Sequence, residues 1–353
     1  MIDFTSDESH LLLNPRLPEP DRRLLEGLHD RAPRLDSHVW IASSGSSGEW
    51  KLVALSKQAL LASAAAVNRR LGVQGGETWC CVLPAFHVGG LGIWARASIS
   101  DGRVIELTWD PHSFAEACER AAFSSLVPAQ VVDLVRAGLR APAALRAVVV
   151  GGGAMSGELY REARALGWPV LPSYGMTECC SQIATATAER PELVLLDHLE
   201  ARAEADGRLA FAGSSLLTGY ATSNSAFVDP KVDGWFVSGD LGSVEGRVLS
   251  VDGRGGELIK IGGELVNLQR LDRILEEVVR ELGAPDAAVI AFPDKRLGHV
   301  IELAVAGEPE AVRDEFDRRV APYERVRGVH RVAVIPRSPL GKLLRKELSK
   351  TLE

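Results

Sequence analysis

Apolar and polar positions alternate along this chain in blocks that suit short strands and helices. Val39-Trp-Ile-Ala42 is an unbroken apolar run and reads as a strand, and Ser43 to Lys51 follows as a loop of small residues, hydroxyls and glycines. Lys57 to Leu71 has a helical pattern, with Ser56 placed as N-cap and Gly72 as its stop. The alternation continues with strands over Glu77–Leu83, Ser124–Val127 and Arg146–Val150, a short apolar segment at Trp168–Leu171, and helices over Phe114–Ala121, Gln130–Leu139 and Gly157–Leu166. Such alternation implies an α/β fold with a largely parallel sheet, whose ligands bind beyond the carboxyl ends of the strands.

From Gly207 the chain becomes strand-rich, with Arg208–Ala212, Trp235–Ser238 and Ser243–Val251. Glycines then gather in Asp252-Gly-Arg-Gly-Gly-Glu257, where a hinge and a domain boundary are expected. Beyond it, helices over 268–282 and 310–320, strands over 287–292, 300–306 and 329–335, and a short final helix describe a small α+β domain. The expected organisation is a surface-hugging arm (1–38), a large domain with a mostly parallel sheet and a strand-rich subdomain (39–253), and a small mobile domain (254–353).

Composition narrows the partners. A net charge of -7 argues against a nucleic-acid surface, which needs a basic footprint, and leaves small anionic ligands open through local charge. The 5 cysteines include no Cys-x-x-Cys spacing, so they read as reduced cytosolic thiols rather than a zinc site or disulfide framework. Leu11–Leu13 stops at Asn14-Pro15 without a basic leader, so neither a signal peptide nor a membrane span is expected.

Chemistry concentrates in Leu171 to Ala184, which contains Ser-Tyr-Gly-Met-Thr-Glu178. The Tyr174 face can stack on a purine, Gly175 lets backbone approach a ligand, Thr177 can donate to a phosphate oxygen, and Glu178 can hold a hard cation. Together they suggest a nucleotide with magnesium, although the same residues also suit a capped turn with a solvated Glu. Ser43, Ser44, Gly45, Ser46, Ser47, Gly48 and Lys51 can cradle phosphates or form a flexible linker. His87 ends a strand before two glycines and could face a cavity or serve as a structural hydrogen-bonder. Arg96, inside an apolar segment, needs an anionic partner, either a structural carboxylate or one on a substrate. Asp240 could accept from both hydroxyls of a ribose or close a turn. Lys342 follows a glycine before the final helix, a place where lysines are usually solvated.

The order of these stretches resembles the adenylate-forming superfamily of acyl-CoA synthetases, carrier-protein adenylation domains and luciferases. The resemblance spans about residues 39–348 and rests on SSGSSGEWK, SYGMTE, GWFVSGD, DGRGGE and PRSPLGK. Trp50 replaces the usual proline of the phosphate loop, and Leu-Val-Asn-Leu268 follows Gly262-Gly263-Glu264 where Asn-Ile-Tyr-Pro is usual. That loop begins at residue 43, so most of the superfamily's N-terminal subdomain is expected to be missing. Within the superfamily, LPAFHVGGLG with Arg96, SSLVPAQVVDL, LRAVVVGGGAM and SYGMTECCSQIAT look most like o-succinylbenzoate-CoA ligases of menaquinone biosynthesis.

The resemblance implies a cytoplasmic ligase that uses ATP, Mg2+ and CoA, in a family that often dimerises. It implies Lys342 at the acyl and α-phosphate oxygens, Thr177 on the α-phosphate and Glu178 on Mg2+. Tyr174 and Gly151, Gly152 and Gly153 would wall the adenine, Asp240 and Arg254 would hold the ribose, and Gly262 and Gly263 would line the CoA tunnel. His87, Arg96, Ser181 and Gln182 would contact the acid. The open alternatives are a ligase for another aryl or acyl acid, an enzyme loading a carrier protein, and a non-catalytic nucleotide-binding protein.

Overall fold

The computed structural model describes residues 2–15, 17, 19–44, 50–153, 155–254, 258–261, 264–294, 297–320, 322–338, 341 and 343–352. Two compact units result, residues 1–238 with 242–250, and residues 239–241 with 251–353.

The first unit opens with β1 (His10–Leu12) and α1 (Glu19–Arg31), followed by β2 (His38–Ser44), β3 (Trp50–Ser56) and α2 (Lys57–Leu71). Residues 1–38, expected as a surface arm, bury Phe4, Leu25 and Leu28, and β1 pairs in parallel with β2. The Lys57 ammonium is buried against this segment, donating to Asp3 O at 2.6 Å, Ser6 O at 2.9 Å and Ser6 Oγ at 2.9 Å. The α2 caps follow the sequence expectation. Ser56 Oγ accepts from Ala59 N, and Gly72 takes the left-handed conformation at φ 64°.

The chain continues through β4 (Thr78–Cys81), α3 (Val88–Ser98), β5 (Arg103–Glu106), α4 (Pro111–Ala117), β6 (Phe123–Leu126), α5 (Pro128–Arg136), β7 (Ala147–Val150) and α6 (Gly157–Ala165). Then come β8 (Val170–Met176), β9 (Ser181–Thr185), β10 (Leu193–Leu195), β11 (Leu199–Ala203), β12 (Arg208–Gly213), β13 (Gly219–Thr222), β14 (Phe236–Glu245) and β15 (Val248–Arg254).

Among the described residues, eleven strands form one mixed sheet in the order β11-β12-β14-β15-β10-β9-β8-β7-β6-β4-β5. The run from β5 to β8 is parallel, as the strand–helix alternation predicts. The sheet changes sense at β9, which lies antiparallel to β8 and β10. On the parallel half, the wholly buried β7 packs with Phe114 and Trp168, both 0% exposed, in one core. A second sheet, β1-β2-β3-β13, places β3 antiparallel to both β2 and β13. The strand β3 itself was absent from the sequence expectation.

In the second unit, β16 (Leu258–Ile261), β17 (Glu264–Asn267), β18 (Ala287–Asp294), β19 (Gly298–Val305) and β20 (Val326–Arg331) form a sheet. The helices are α7 (Leu268–Glu281), α8 (Glu310–Arg319) and α9 (Arg345–Leu352). Leu268, Leu271, Leu275 and Val278 recur at helical spacing and bury one face of α7 beside Val289, Ile301, Leu303 and Phe316. No helix among the described residues is long and apolar enough to cross a membrane.

Candidate active site

Leu171 to Ala184 folds as a hairpin. In it, Tyr174 faces Ala184, Met176 faces Ser181, a bulge falls at Tyr174–Gly175, and Thr177–Cys179 make a short 3-10 turn. Cys180 and Ser181 hold φ values of 53° and 105°. Non-glycine residues take such angles at a cost on the order of 1–3 kcal/mol and only where the surroundings enforce them. Part of that enforcement is visible at Gly175, where a Cβ would fall 1.8 Å from Ser181 O. The close approach anticipated for a ligand at Gly175 is made there by the chain's own backbone.

At the hairpin tip, Glu178 meets two elements of the other sheet. Lys51 Nζ donates to Glu178 Oε1 at 2.8 Å, and Tyr220 OH donates to the same oxygen at 2.8 Å. The ammonium also lies 3.9 Å from the centroid of the Tyr220 ring. Burial alone would raise the Glu178 carboxyl, but the Lys51 charge and hydrogen bond, with the Tyr220 hydroxyl, hold it below its usual range. Glu178 is therefore ionised at neutral pH.

Lys51 stands opposite Ser43, and Trp50 opposite Ser44, where β2 and β3 pair. Gly45, Ser46, Ser47 and Gly48 lie outside the described residues. No cluster of three metal-ligating side chains occurs among the described residues. An ionised, largely buried carboxylate suits a hard cation, and Glu178 would be the residue to hold Mg2+ here.

A second constellation lies on α3. Arg96 is 2% exposed, and its Nη1 donates to Ser125 Oγ at 3.2 Å. Its guanidinium carbon sits 5.4 Å from the Trp79 ring, while its Nε is buried without a partner. No carboxylate among the described residues pairs with it. Burial lowers its pKa to about 10, with the neighbouring Cys81 thiol opposing the shift, so the side chain is still a cation at neutral pH. A Cβ added at Gly92 would sit 3.1 Å from Arg96 Nη2 and 3.5 Å from Ser181 Oγ, so those two groups converge on one small space. Gln182 donates to Thr185 Oγ1 at 2.7 Å and keeps a buried, unpartnered Oε1. His87 heads α3 without capping it; its ring lies tilted against that of Phe86 at 4.8 Å, and burial lowers its pKa, favouring the neutral imidazole.

Gly151 to Gly153 follow β7 directly. Gly152 takes φ 76°, and a Cβ at Gly151 would meet Ser173 Oγ at 2.9 Å, which sets the glycines against β8. The Tyr174 ring lies 6.1 Å from that of Phe211. Asp240 is buried on β14 and groups with the second unit, and Arg254 ends β15. Gly262, Gly263 and Lys342 lie outside the described residues. Among the expected site residues, the structure joins Lys51 to Glu178 and brings Arg96 and Ser181 to the same side-chain-free position at Gly92. Sequence reasoning missed Tyr220 and Ser125. Neither belongs to a glycine-rich or charged cluster that would have drawn attention to it.

Residues 7–220 match the family model described as AMP-binding enzyme. A probable 2-succinylbenzoate–CoA ligase of Mycobacterium tuberculosis is 33% identical over 337 residues, covering 89% of this chain and 84% of that protein. A probable CoA ligase of Humulus lupulus is 31% identical over 372 residues, covering 94% of this chain and 66% of that protein. Among solved structures, the o-succinylbenzoate coenzyme A synthetase of Bacillus subtilis in complex with ATP and magnesium superposes with a TM-score of 0.79 at 26% identity, covering 88% of this chain and 69% of that one.

Proposed function

The chain belongs to the AMP-binding enzyme family, and from that premise we propose that it activates o-succinylbenzoate with ATP and passes the acyl group to CoA. Adenylation starts from two anions, a carboxylate already ionised at neutral pH and a triphosphate. The enzyme's task is alignment and charge stabilisation rather than base catalysis. Lys51 and the Ser43–Gly48 loop take the β- and γ-phosphates, and Thr177 donates to the α-phosphate. Glu178 holds Mg2+, which supplies positive charge to the phosphate oxygens. Lys342 bridges the reacting carboxylate and the α-phosphate. Tyr174 and Gly151 to Gly153 bound the adenine, and Asp240 and Arg254 receive the ribose. The acyl-adenylate is then cleaved by CoA thiol, which approaches past Gly262 and Gly263 and displaces AMP.

The observation that carries the choice of acid is the buried guanidinium of Arg96, which has no carboxylate partner among the described residues and an unpaired Nε. A desolvated cation needs an anion, and a diacid brings one carboxylate to spare after the other has reacted. Ser181 adds a hydroxyl at the same space, and His87 and Gln182 contribute neutral polar groups to the acid's surroundings. The likeness to a named 2-succinylbenzoate ligase supports this reading. A CoA ligase for another acid is the second reading, supported by the similar identity to the Humulus lupulus enzyme.

Pyrophosphate release across a panel of acids separates them. o-Succinylbenzoate should outperform benzoate and medium-chain fatty acids, and that preference should collapse in Arg96→Met. Equal rates for mono- and diacids would remove the diacid assignment and leave the adenylation chemistry standing.

A further inference from the structure

Glu178 and Lys51 lie 127 residues apart on different sheets, and each is a flexible side chain that water and ions could pull elsewhere. Tyr220 is the group that touches both. Its hydroxyl donates to Glu178 Oε1 at 2.8 Å, and its ring face lies 3.9 Å from the Lys51 ammonium. Its own strand fixes it tightly. β13 pairs with β3 so that Tyr220 faces Val53 and Thr222 faces Lys51, and Tyr220 also exchanges backbone hydrogen bonds with Val228 at 2.8 and 2.9 Å. Just before it, Leu217 N donates to the Glu178 carbonyl at 2.8 Å. One short segment, Leu217 to Tyr220, thus grips Glu178 by backbone and by side chain while supporting Lys51 from below.

We propose that Tyr220 is a positioning residue that sets both charges at the triphosphate end of the site, orienting Glu178 for the divalent ion and Lys51 for the phosphates. The two halves of its side chain divide the work. The hydroxyl shares Glu178 Oε1 with the ammonium, so it keeps the carboxylate oriented when Lys51 turns to phosphate. The ring gives the ammonium an electron-rich face that does not compete with an anion for hydrogen bonds, so Lys51 is held close without being neutralised. The inference rests on Glu178 being the metal-facing carboxylate and is independent of which acid is activated.

Two substitutions separate the halves. Tyr220→Phe removes the hydroxyl and keeps the ring; Tyr220→Leu removes both. Binding is read without turnover, by electron paramagnetic resonance of Mn2+ with ATP present and by calorimetric titration of ATP in EDTA. Thermal unfolding is recorded alongside. In Tyr220→Phe, Mn2+ affinity in the presence of ATP should weaken on the order of tenfold, the effect of one hydrogen bond to a charged group, while metal-free ATP affinity holds within twofold. Tyr220→Leu should also weaken metal-free ATP binding by several-fold, and the KM for the acid should be unchanged in both. If wild type binds Mn2+ with ATP and Tyr220→Phe binds it equally well, the positioning role is overturned. It is equally overturned if Tyr220→Phe loses binding only in step with loss of cooperative unfolding. Failure of wild type itself to bind Mn2+ with ATP would instead remove Glu178 as the metal-facing group.

Discussion

Arg96 Nη2 and Ser181 Oγ both border the space that a Gly92 side chain would fill, 3.1 and 3.5 Å from a Cβ built there. The helix α3 and the β8–β9 hairpin therefore meet at a point where a side chain larger than glycine's would press on the guanidinium. Gly92→Ala should crowd that space and push the guanidinium aside. The expected result is a fall of about tenfold in kcat/KM for o-succinylbenzoate with the KM for ATP unchanged, since displacement of a positioning group by a fraction of an ångström acts on the acid alone. Steady-state kinetics with each substrate varied in turn checks it.

Arg96→Met keeps much of the side-chain volume and removes the charge. The diacid should lose about a hundredfold in kcat/KM, as expected for a desolvated charge-assisted pair, while a monoacid changes little. The protein itself should be no less stable, because a buried cation lacking a carboxylate partner among the described residues is replaced by an apolar group. Denaturant unfolding tests the second half separately from the kinetics.

His198 gives the fold a pH dependence of its own. Both ring nitrogens are buried without partners, and burial, against the opposing charge of Asp197, lowers its pKa to about 4 from a usual 6.5. A base with a depressed folded pKa takes up a proton in the unfolded chain first. Stability attributable to His198 is therefore intact above about 6.5 and declines as pH falls towards 4. The loss is about 2 kcal/mol over that window, discounted for partial exposure of the residue. His198→Leu should flatten this slope and leave neutral-pH stability equal or higher. An unchanged slope in urea titrations at pH 4.5 and 7 would show that other groups govern it.

Lys57 anchors the N-terminal segment through three hydrogen bonds from one buried ammonium. Lys57→Met leaves the Asp3 and Ser6 carbonyls without that donor and should cost about 2 kcal/mol. The loss should be local first, appearing as faster amide exchange over residues 3–9 and at Ser37, whose N–H donates to Asp7 O at 2.7 Å. Uniform loss of protection across α2 and the large sheet would contradict a local anchor.

The sequence was most informative where local rules act alone. Lys57–Leu71 was legible to the residue because a Ser cap and a left-handed glycine are local devices. β3 is not legible because its buried Leu52–Leu55 run is only four residues long and lies between a glycine-rich loop and the helix at Lys57. Asp240 was read beside a turn because Gly239 precedes it, yet β14 continues through both as one strand from Phe236 to Glu245. The hairpin at Leu171–Ala184 depends on left-handed Cys180 and Ser181, which no turn preference anticipates. Residue types identified Glu178 and Arg96 as candidates, because a lone carboxylate after a glycine and a lone cation in an apolar run demand explanation. Tyr220 carries no such signal, since its contact with Glu178, 42 positions away, depends on β13 pairing with β3, which the sequence pattern does not reveal.

Pyrophosphate release from ATP in the presence of o-succinylbenzoate, with and without CoA and beside Lys342→Ala, tests the central reading most directly. Release should require the diacid, accelerate with CoA as the acyl-adenylate is consumed, and fall on the order of a hundred- to a thousandfold in the variant, the loss expected when a main charge-stabilising group is removed. Release driven equally by benzoate or a fatty acid would contradict the proposed substrate, and ATP binding without release on any acid would contradict the ligase itself.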